Sequence, residues 1–478
     1  MSIDGQKSRP PNGFAISRRM LFKVAAAGGL MVAAAPPASA CESGNRGSTL
    51  AVTGGRLGSA LTTQVAEIAN LCAAENLAFL DSQYDPAPKL ITDFGAFDEW
   101  HIRKPSTIAF GVASLIKLGI YDDAVTGITQ SDAADRIVRL ILSLTTLHIS
   151  QRENGWGGSR APWTYDASHN DWQGALWCHF VSHGAWFIWD RFSADEQNSI
   201  LEMVAYEANR FVNFVVPYWH DRNGTENYAG DSKAEESAWN AAMLATAVIM
   251  QPGHPNASAW LTKFVELSVS VSSTPSDVTT SESIHEQSIS NLVNGYNLTP
   301  EGIVVNHGYP NPRYSASVSQ TWLNGVLFAY EGKPIPACTL RHGDLIYGVM
   351  TDLDFTAPPW NSPGGTYYVA ESPSIYYPKN PENYGQQMAP FAAMDALANL
   401  LGLDASSTVG AATWAGLHIG EFHRQVTSST SYRSEWSLYH AVWILLATQV
   451  KTEALRVSQA SVASLASQLG SAACGRPQ

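Results

Sequence analysis

The sequence predicts an all-α protein, an (α/α) toroid or incomplete barrel of about twelve helices with long loops on one face. Three observations carry this reading. Apolar residues recur at helical spacing in about twelve stretches between residues 61 and 469, with no strand-like alternation of comparable length. Of 478 residues, 45% are hydrophobic and 15% charged, which supplies a large core and excludes a disordered chain. Long loops rich in Gly, Pro, Asn and aromatic residues separate alternate helices, at 151–170, 217–231, 294–314 and 354–385. Loops of that length are uncommon in a compact domain unless they serve a function. Antiparallel helix pairs curling into a ring would gather them at one end.

In chain order, Ser17-Arg18-Arg19-Met20-Leu21-Phe22-Lys23 resembles a twin-arginine export motif. An apolar stretch, Val24 to Ala35, and Ala38-Ser39-Ala40 follow, the pattern of a signal peptide cleaved after Ala40. That stretch is too short to span a bilayer. The expectation is an exported protein, periplasmic or extracellular, with a lipid anchor at Cys41 as a weaker alternative. Residues 41–60 read as a flexible N-terminal segment and 61–470 as one catalytic domain. Helices are expected at 61–80, 106–120, 132–149, 172–190, 194–214, 232–251, 256–270, 315–331, 340–352, 386–402, 436–449 and 453–469. Ser193-Ala194-Asp195-Glu196 and Ser232-Lys233-Ala234-Glu235 have the form of capping boxes.

Net charge is −13, and −17 once residues 1–40 are removed. No Lys/Arg block stands out, which argues against nucleic acid and anionic membranes as partners. The five cysteines contain no C-x-x-C pair, so a cysteine-built metal site is not expected. His179 and His183 lie four apart, a spacing that can chelate, but the Trp and Phe around them favour core histidines. No cofactor is expected, with a divalent cation left open. P-loop, Rossmann and G-x-S-x-G signatures are lacking. The 15 Trp, 18 Tyr and 16 Phe, many in polar loops, suit stacking on sugar rings as well as a large core.

Three constellations hold groups fit for chemistry. Residues 221–240 run from a polar loop into a helix and contain Glu226, Asn227, Tyr228, Asp231, Glu235 and Glu236. Glu235 reads mainly as a cap, with an acid/base role as the alternative. A buried Glu236 would need a partner or a function. Residues 300–315 place Asn306, His307, Tyr309, Arg313 and Tyr314 within one loop. His titrates near neutrality, Tyr gives up a proton more readily beside a cation, and Asn can hydrogen-bond a developing oxyanion. Residues 154–173 form an aromatic and glycine-rich loop with Trp156, Trp163, His169 and Trp172, read as a sugar-binding rim. Phe94, Trp100 and His101 are assigned to the facing wall, and Tyr384 to a loop near the cleft.

The stretch PEGIVVNHGYPNPRYSASVSQ resembles the Asp-Gly, Gln-His and Tyr-Thr/Ser motif of the chondroitin/hyaluronate-type polysaccharide lyases, and NYAGDSKAEESAWNAAM is similar to their Asn-Trp-Trp segment before a helix. The resemblance covers about 100 residues and implies a toroid that cleaves uronate-containing glycans by β-elimination. It implies Asn227 as carboxylate holder, His307 as neutraliser or base, Tyr314 or Tyr309 as acid, and Arg313 tuning that Tyr. The β-sandwich domains of that family are missing here, the His-to-Tyr gap is shorter, and the acidic net charge opposes a polyanion. Arg160, Arg222, Lys233, Arg313 and Arg341 are candidates for a locally positive cleft. The runner-up is an inverting glycoside hydrolase using carboxylates drawn from Asp171, Glu226, Asp231, Glu235 and Glu236, roughly 6.5–9.5 Å apart. The third reading is a non-catalytic glycan-binding protein. In each case the partner is a polysaccharide or oligosaccharide.

Overall fold

The computed structural model describes residues 49–82, 84–85, 90–91, 99–154, 163, 173–379 and 385–471. The export motif, the following apolar stretch and Cys41 lie outside the described residues. So do Phe94, Trp156, Arg160, His169, Asp171, Trp172 and Tyr384.

The described chain is mostly α-helical, as its periodicity predicts. The helices are α1 (Ser59–Ser82), α2 (Glu99–Leu118), α3 (Asp123–Thr126), α4 (Gln130–Thr146), α5 (Gly174–Phe187), α6 (Ala194–Arg210), α7 (Ala234–Met250) and α8 (Ala257–Val271). Then come α9 (Ile289–Leu292), α10 (Pro312–Ser317), α11 (Gln320–Tyr330), α12 (Gly343–Thr351), α13 (Ala389–Leu401), α14 (Ala411–Ser428), α15 (Glu435–Gln449) and α16 (Val462–Ser471). Short two- and three-residue strands connect loops rather than forming a layer.

Two kinds of helix alternate. In α4 the buried set Ala133, Ala134, Ile137, Leu140, Ile141 and Leu144 makes one stripe, so α4 packs on one side only. In α5, α7 and α13 nearly every residue is buried, so these helices are surrounded by others. The packing order is α2 on α5, α5 on α7, α7 on α11, α11 on α15 and α15 on α2, with α13 against α15. The one-sided helices lie outside: α1 on α2, α14 and α15, α4 on α2 and α5, and α6 on α5 and α7.

Several boundaries differ from expectation. Helix α2 starts at Glu99 and carries Pro105 inside it. Burial of its inner face outweighs the hydrogen bond that proline forfeits. The expected 315–331 helix breaks at Val318–Ser319 into α10 and α11. The expected 453–469 helix divides into a turn, the strand Arg456–Ser458 and α16. Helix α14 was not expected. Its buried stripe of Trp414, Ala415, His418, Ile419, Phe422 and Val426 passes through a histidine, and Gly416 and Gly420 weaken the pattern. Part of the segment expected to be flexible is held: Thr49–Ala51 pair antiparallel with Arg456–Ser458, Gly55 N donates to Asn399 O at 2.7 Å, and Arg56 Nη1 to Thr448 O at 2.8 Å.

Cys72, Cys178 and Cys338 are buried free thiols. His179 and His183 are buried, and both Nδ1 atoms meet the Thr246 hydroxyl, at 2.7 and 3.2 Å. Burial pushes both imidazoles toward the neutral form, His183 down to about 3. Among the described residues no group of three or more ligands could hold a metal ion, and no helix is long and apolar enough to cross a membrane.

Candidate active site

The long loops lead into α5, α7, α10 and α13, and side chains at these helices meet side chains of α2 and α15. Arg103 of α2 donates through Nε and Nη2 to Gln173 Oε1 at the start of α5, at 3.0 and 2.7 Å. Its guanidinium carbon lies 5.4 Å from the Trp239 ring centroid of α7 and 5.1 Å from that of Trp436 of α15. Such contacts add to the attraction between cation and ring face. Glu235 of α7 faces Arg103, with Arg313 and Ser317 of α10 also beside it. Burial pushes the Glu235 carboxyl up to about 7, against the pull of Arg103, the Ser317 hydroxyl and Arg313 and with a push from Glu236. His440 of α15 completes the floor. Its Nδ1 donates to Trp436 O at 2.7 Å, and burial pushes it down to about 3, so it is neutral.

Above this floor the two polar stretches join. Asn306 Nδ2 donates to Asp231 Oδ1 at 2.9 Å, Ser232 N to Val305 O at 2.8 Å, and Gly308 N to Gly230 O at 2.9 Å. Gly230 has φ +60°, and a Cβ there would lie 2.6 Å from Gly308 Cα, so only glycine permits this approach. Asn297, fully buried, knits the assembly from below. Its Oδ1 accepts from Trp219 N (2.9 Å) and Lys233 N (3.2 Å), its Nδ2 donates to Ser270 O (2.9 Å), and its carbonyl accepts from Ser232 Oγ (2.8 Å).

His307 is exposed at φ +55°, on the turn between the paired segments Val305–Asn306 and Tyr309–Pro310. Its Nε2 is 3.4 Å from Tyr314 Oη, with ring centroids 5.4 Å apart. Arg313 precedes that tyrosine, and its backbone N–H donates to the cap residue Asn311. Tyr309 is buried, with its hydroxyl 3.3 Å from Asn311 Nδ2, so Tyr314 is the phenol that reaches the imidazole. Asn227 is exposed and donates one amide hydrogen to Tyr218 O at 3.1 Å. Tyr228 is exposed, with Lys233 Nζ 4.5 Å from its ring centroid.

Other nominated residues have structural duties. Glu226 is engaged within its loop: Oε1 accepts from Trp219 Nε1 (2.8 Å) and Gly230 N (2.7 Å), and these donors, Gly230 first, hold its carboxyl below the usual range. Asp231 spends one oxygen on Lys233 (2.6 Å) and the other on Asn306. Asn306 is correspondingly buried in the loop junction rather than presented to a substrate. Trp163 is no sugar platform, because it is fully buried with Nε1 donating to Leu144 O at 2.8 Å. Glu235 closes no capping box: Lys233 is the N-cap, and the Ser232 hydroxyl turns to Asn297. The box at Ser193 and Glu196 does form. Glu236 has its expected partner in Lys233, at 3.2 Å, and burial pushes its carboxyl up against that cation.

Of the five cations nominated for the cleft, Lys233 and Arg313 lie here. Arg222 donates to the carbonyls of Val278, Ser290 and Val293, and Arg341 pairs with Asp277 and Glu282. Gln173 and Trp239 fall within the nominated stretches 154–173 and 221–240, whereas Arg103, Ser317, Trp436 and His440 were missed. Arg103, Trp436 and His440 share only position, within the first two turns of α2 and α15, and Ser317 closes α10. A separate cleft of about 490 Å³ on the flank of α1, α2 and α15 is lined by Glu75, Phe79, Lys104, Arg433 and Glu435 and holds none of the nominated residues. No protein-family model, curated protein or solved structure matches this chain.

Proposed function

We propose that this chain is an exported carbohydrate-active enzyme, an (α/α) toroid that cleaves a uronate-containing polysaccharide or oligosaccharide by β-elimination without a resident cofactor. The order of helix packing, in which surrounded helices succeed one another and one-sided helices back them, supports the toroid reading. The observation that carries the activity is the exposed His307 imidazole, 3.4 Å from Tyr314 Oη and one residue from Arg313 across that contact. Elimination needs one group to remove the C5 proton and another to protonate the leaving oxygen. A cation lowers the cost of the charge that develops on the carboxylate. His307 takes the C5 proton, the freed electron pair forms the C4–C5 double bond, the C4–O4 bond breaks, and Tyr314 gives its proton to O4. Arg313 and the second amide hydrogen of Asn227 hold the carboxylate. The partly exposed Trp436 offers ring surface for contact with a sugar.

The test incubates the protein lacking residues 1–40 with uronate-containing and neutral glycans, following ultraviolet absorbance of an unsaturated uronate beside reducing-end release. New absorbance is expected with uronates alone. His307→Ala and Tyr314→Phe should each lower kcat by roughly 10²-fold or more. Reducing ends without the chromophore would replace elimination by hydrolysis, and full activity in His307→Ala would remove the site.

A further inference from the structure

A second set of reactive groups lies where α4 ends against α6. Ser150 sits in the 3-10 turn Ile149–Asn154, and His148 stands between that turn and α4. Ser150 Oγ is 2.8 Å from His148 Nδ1, and His148 Nε2 is 3.0 Å from Glu207 Oε1 of α6. Glu207 is fully buried, and its Oε2 accepts from Arg210 Nη1 at 2.6 Å. Hydroxyl, imidazole and carboxylate therefore form one chain of hydrogen bonds. Two contacts fix which ring nitrogen carries the proton. The Ser150 backbone N–H can only donate, and it meets Nδ1 at 3.1 Å. Burial pushes the Glu207 carboxyl up, but Arg210 and then His148 hold it below the usual range, so it is ionised and takes the hydrogen of Nε2. Nδ1 keeps a lone pair facing the Ser150 hydroxyl, the state a general base needs. The rings of Trp163 and Tyr206 pack edge to face on the buried imidazole, with centroids 4.4 and 5.4 Å away, and hold its plane. Ser150 is partly exposed, so its hydroxyl is within reach of a ligand. Capping a turn requires neither the buried carboxylate nor its arginine, and burying that pair costs desolvation.

We propose that Ser150, His148 and Glu207 form a nucleophilic triad that hydrolyses a carboxylic ester. This activity stands apart from elimination at His307 and does not rest on it. Ser150 Oγ attacks the carbonyl carbon while its proton passes to His148 Nδ1. The bond from that carbon to the alcohol oxygen breaks, and the alcohol leaves with the proton from Nδ1. Water then gives a proton to Nδ1 and attacks the acyl carbon, the bond to Oγ breaks, and Oγ recovers the proton. One ester and one water become an alcohol and a carboxylic acid, with no change of oxidation state. Ser150 is the nucleophile and His148 the base and acid. Glu207, held by Arg210, is a positioning residue that fixes the tautomer and stabilises the imidazolium as it forms.

The experiment uses the protein lacking residues 1–40 with two probes, 4-nitrophenyl acetate and an alkyl fluorophosphonate, the labelled residue being located by peptide mass spectrometry. The expected result is steady release of 4-nitrophenol and fluorophosphonate attached to Ser150. Ser150→Ala, a change at a partly exposed position, should remove the label and lower kcat by roughly 10²-fold or more. Glu207→Gln should lower kcat and the labelling rate with KM little changed, and Glu207→Asp, which keeps the charge, should restore part of both. Labelling elsewhere or not at all would overturn the proposal, as would ester hydrolysis that persists undiminished in Ser150→Ala. Unsaturated product from uronates without ester hydrolysis would sink the triad alone. Ester hydrolysis dependent on Ser150 without any unsaturated product would sink the elimination reading alone.

Discussion

A carboxyl in the first turn of a helix ordinarily lies in a favourable field and is held ionised. Glu235 departs from that because burial outweighs the helix and the two arginines. Its folded value of about 7 lies above the ordinary 4.5, so the folded state binds the proton more tightly than the unfolded chain does. The stabilisation is complete below about pH 4.5 and is lost as pH rises through 7, a change of about 3 kcal/mol. Glu235→Gln should be free of that loss. Urea unfolding of both proteins at pH 5 and pH 8 measures it, and an equal drop in the two would show that Glu235 does not titrate in this range. The sequence offered Glu235 as a cap because spacing reports helix position and says nothing of the arginines that a distant helix brings against it.

At the scale of elements, the turn that carries His307 depends on a junction between two loops 75 residues apart. Gly230→Ala would place a methyl group against the Gly308 backbone and adopt a φ that alanine disfavours. A cost of about 1–3 kcal/mol is expected, with a larger relative loss of kcat/KM than of folded protein, because the shift moves His307. Asn297→Ala would leave the N–H groups of Trp219 and Lys233 and the carbonyl of Ser270 buried without their partner. Each orphaned group costs about 1–3 kcal/mol, so denaturant titration should show a loss of several kcal/mol. Unchanged midpoints would mean water replaces the amide. The loops that meet at this junction stood out in the sequence by their length and composition. Asn297 was not, since a buried bridging amide has no local pattern that separates it from an exposed loop asparagine.

For the whole molecule, the seam where α15 meets α2 joins helices from opposite ends of the chain. Gly111 allows it: a Cβ there would lie 2.5 Å from Leu438 Cγ. Gly111→Val should therefore overpack this seam and cost about 1–3 kcal/mol. Gly348→Ala, where a Cβ meets nothing within 4 Å, is the control and should be neutral or slightly stabilising. Equal melting temperatures for the two variants would mean the seam relaxes without cost. Net charge also acts at this scale. The chain is acidic, and at the site Arg103, Lys233 and Arg313 stand among Glu226, Asp231, Glu235 and Glu236, so the cations there are offset by neighbouring carboxyl groups.

Periodicity alone determined that this protein is helical and roughly where its helices lie, because burying one face of a helix imposes a repeat that sequence displays directly. Loop length and composition determined where polar chemistry concentrates, and both stretches nominated for it do meet. Tertiary structure alone decided which nominated groups lie exposed at that junction and which are tied up in its packing. Glu226, Asp231, Asn306 and Trp163 turned to structural duties, while Arg103, Trp436 and His440 arrived from segments that carry no motif. The reason is physical: burial and hydrogen-bond partnership are set by residues far away in the chain, and a single stretch of sequence does not contain them.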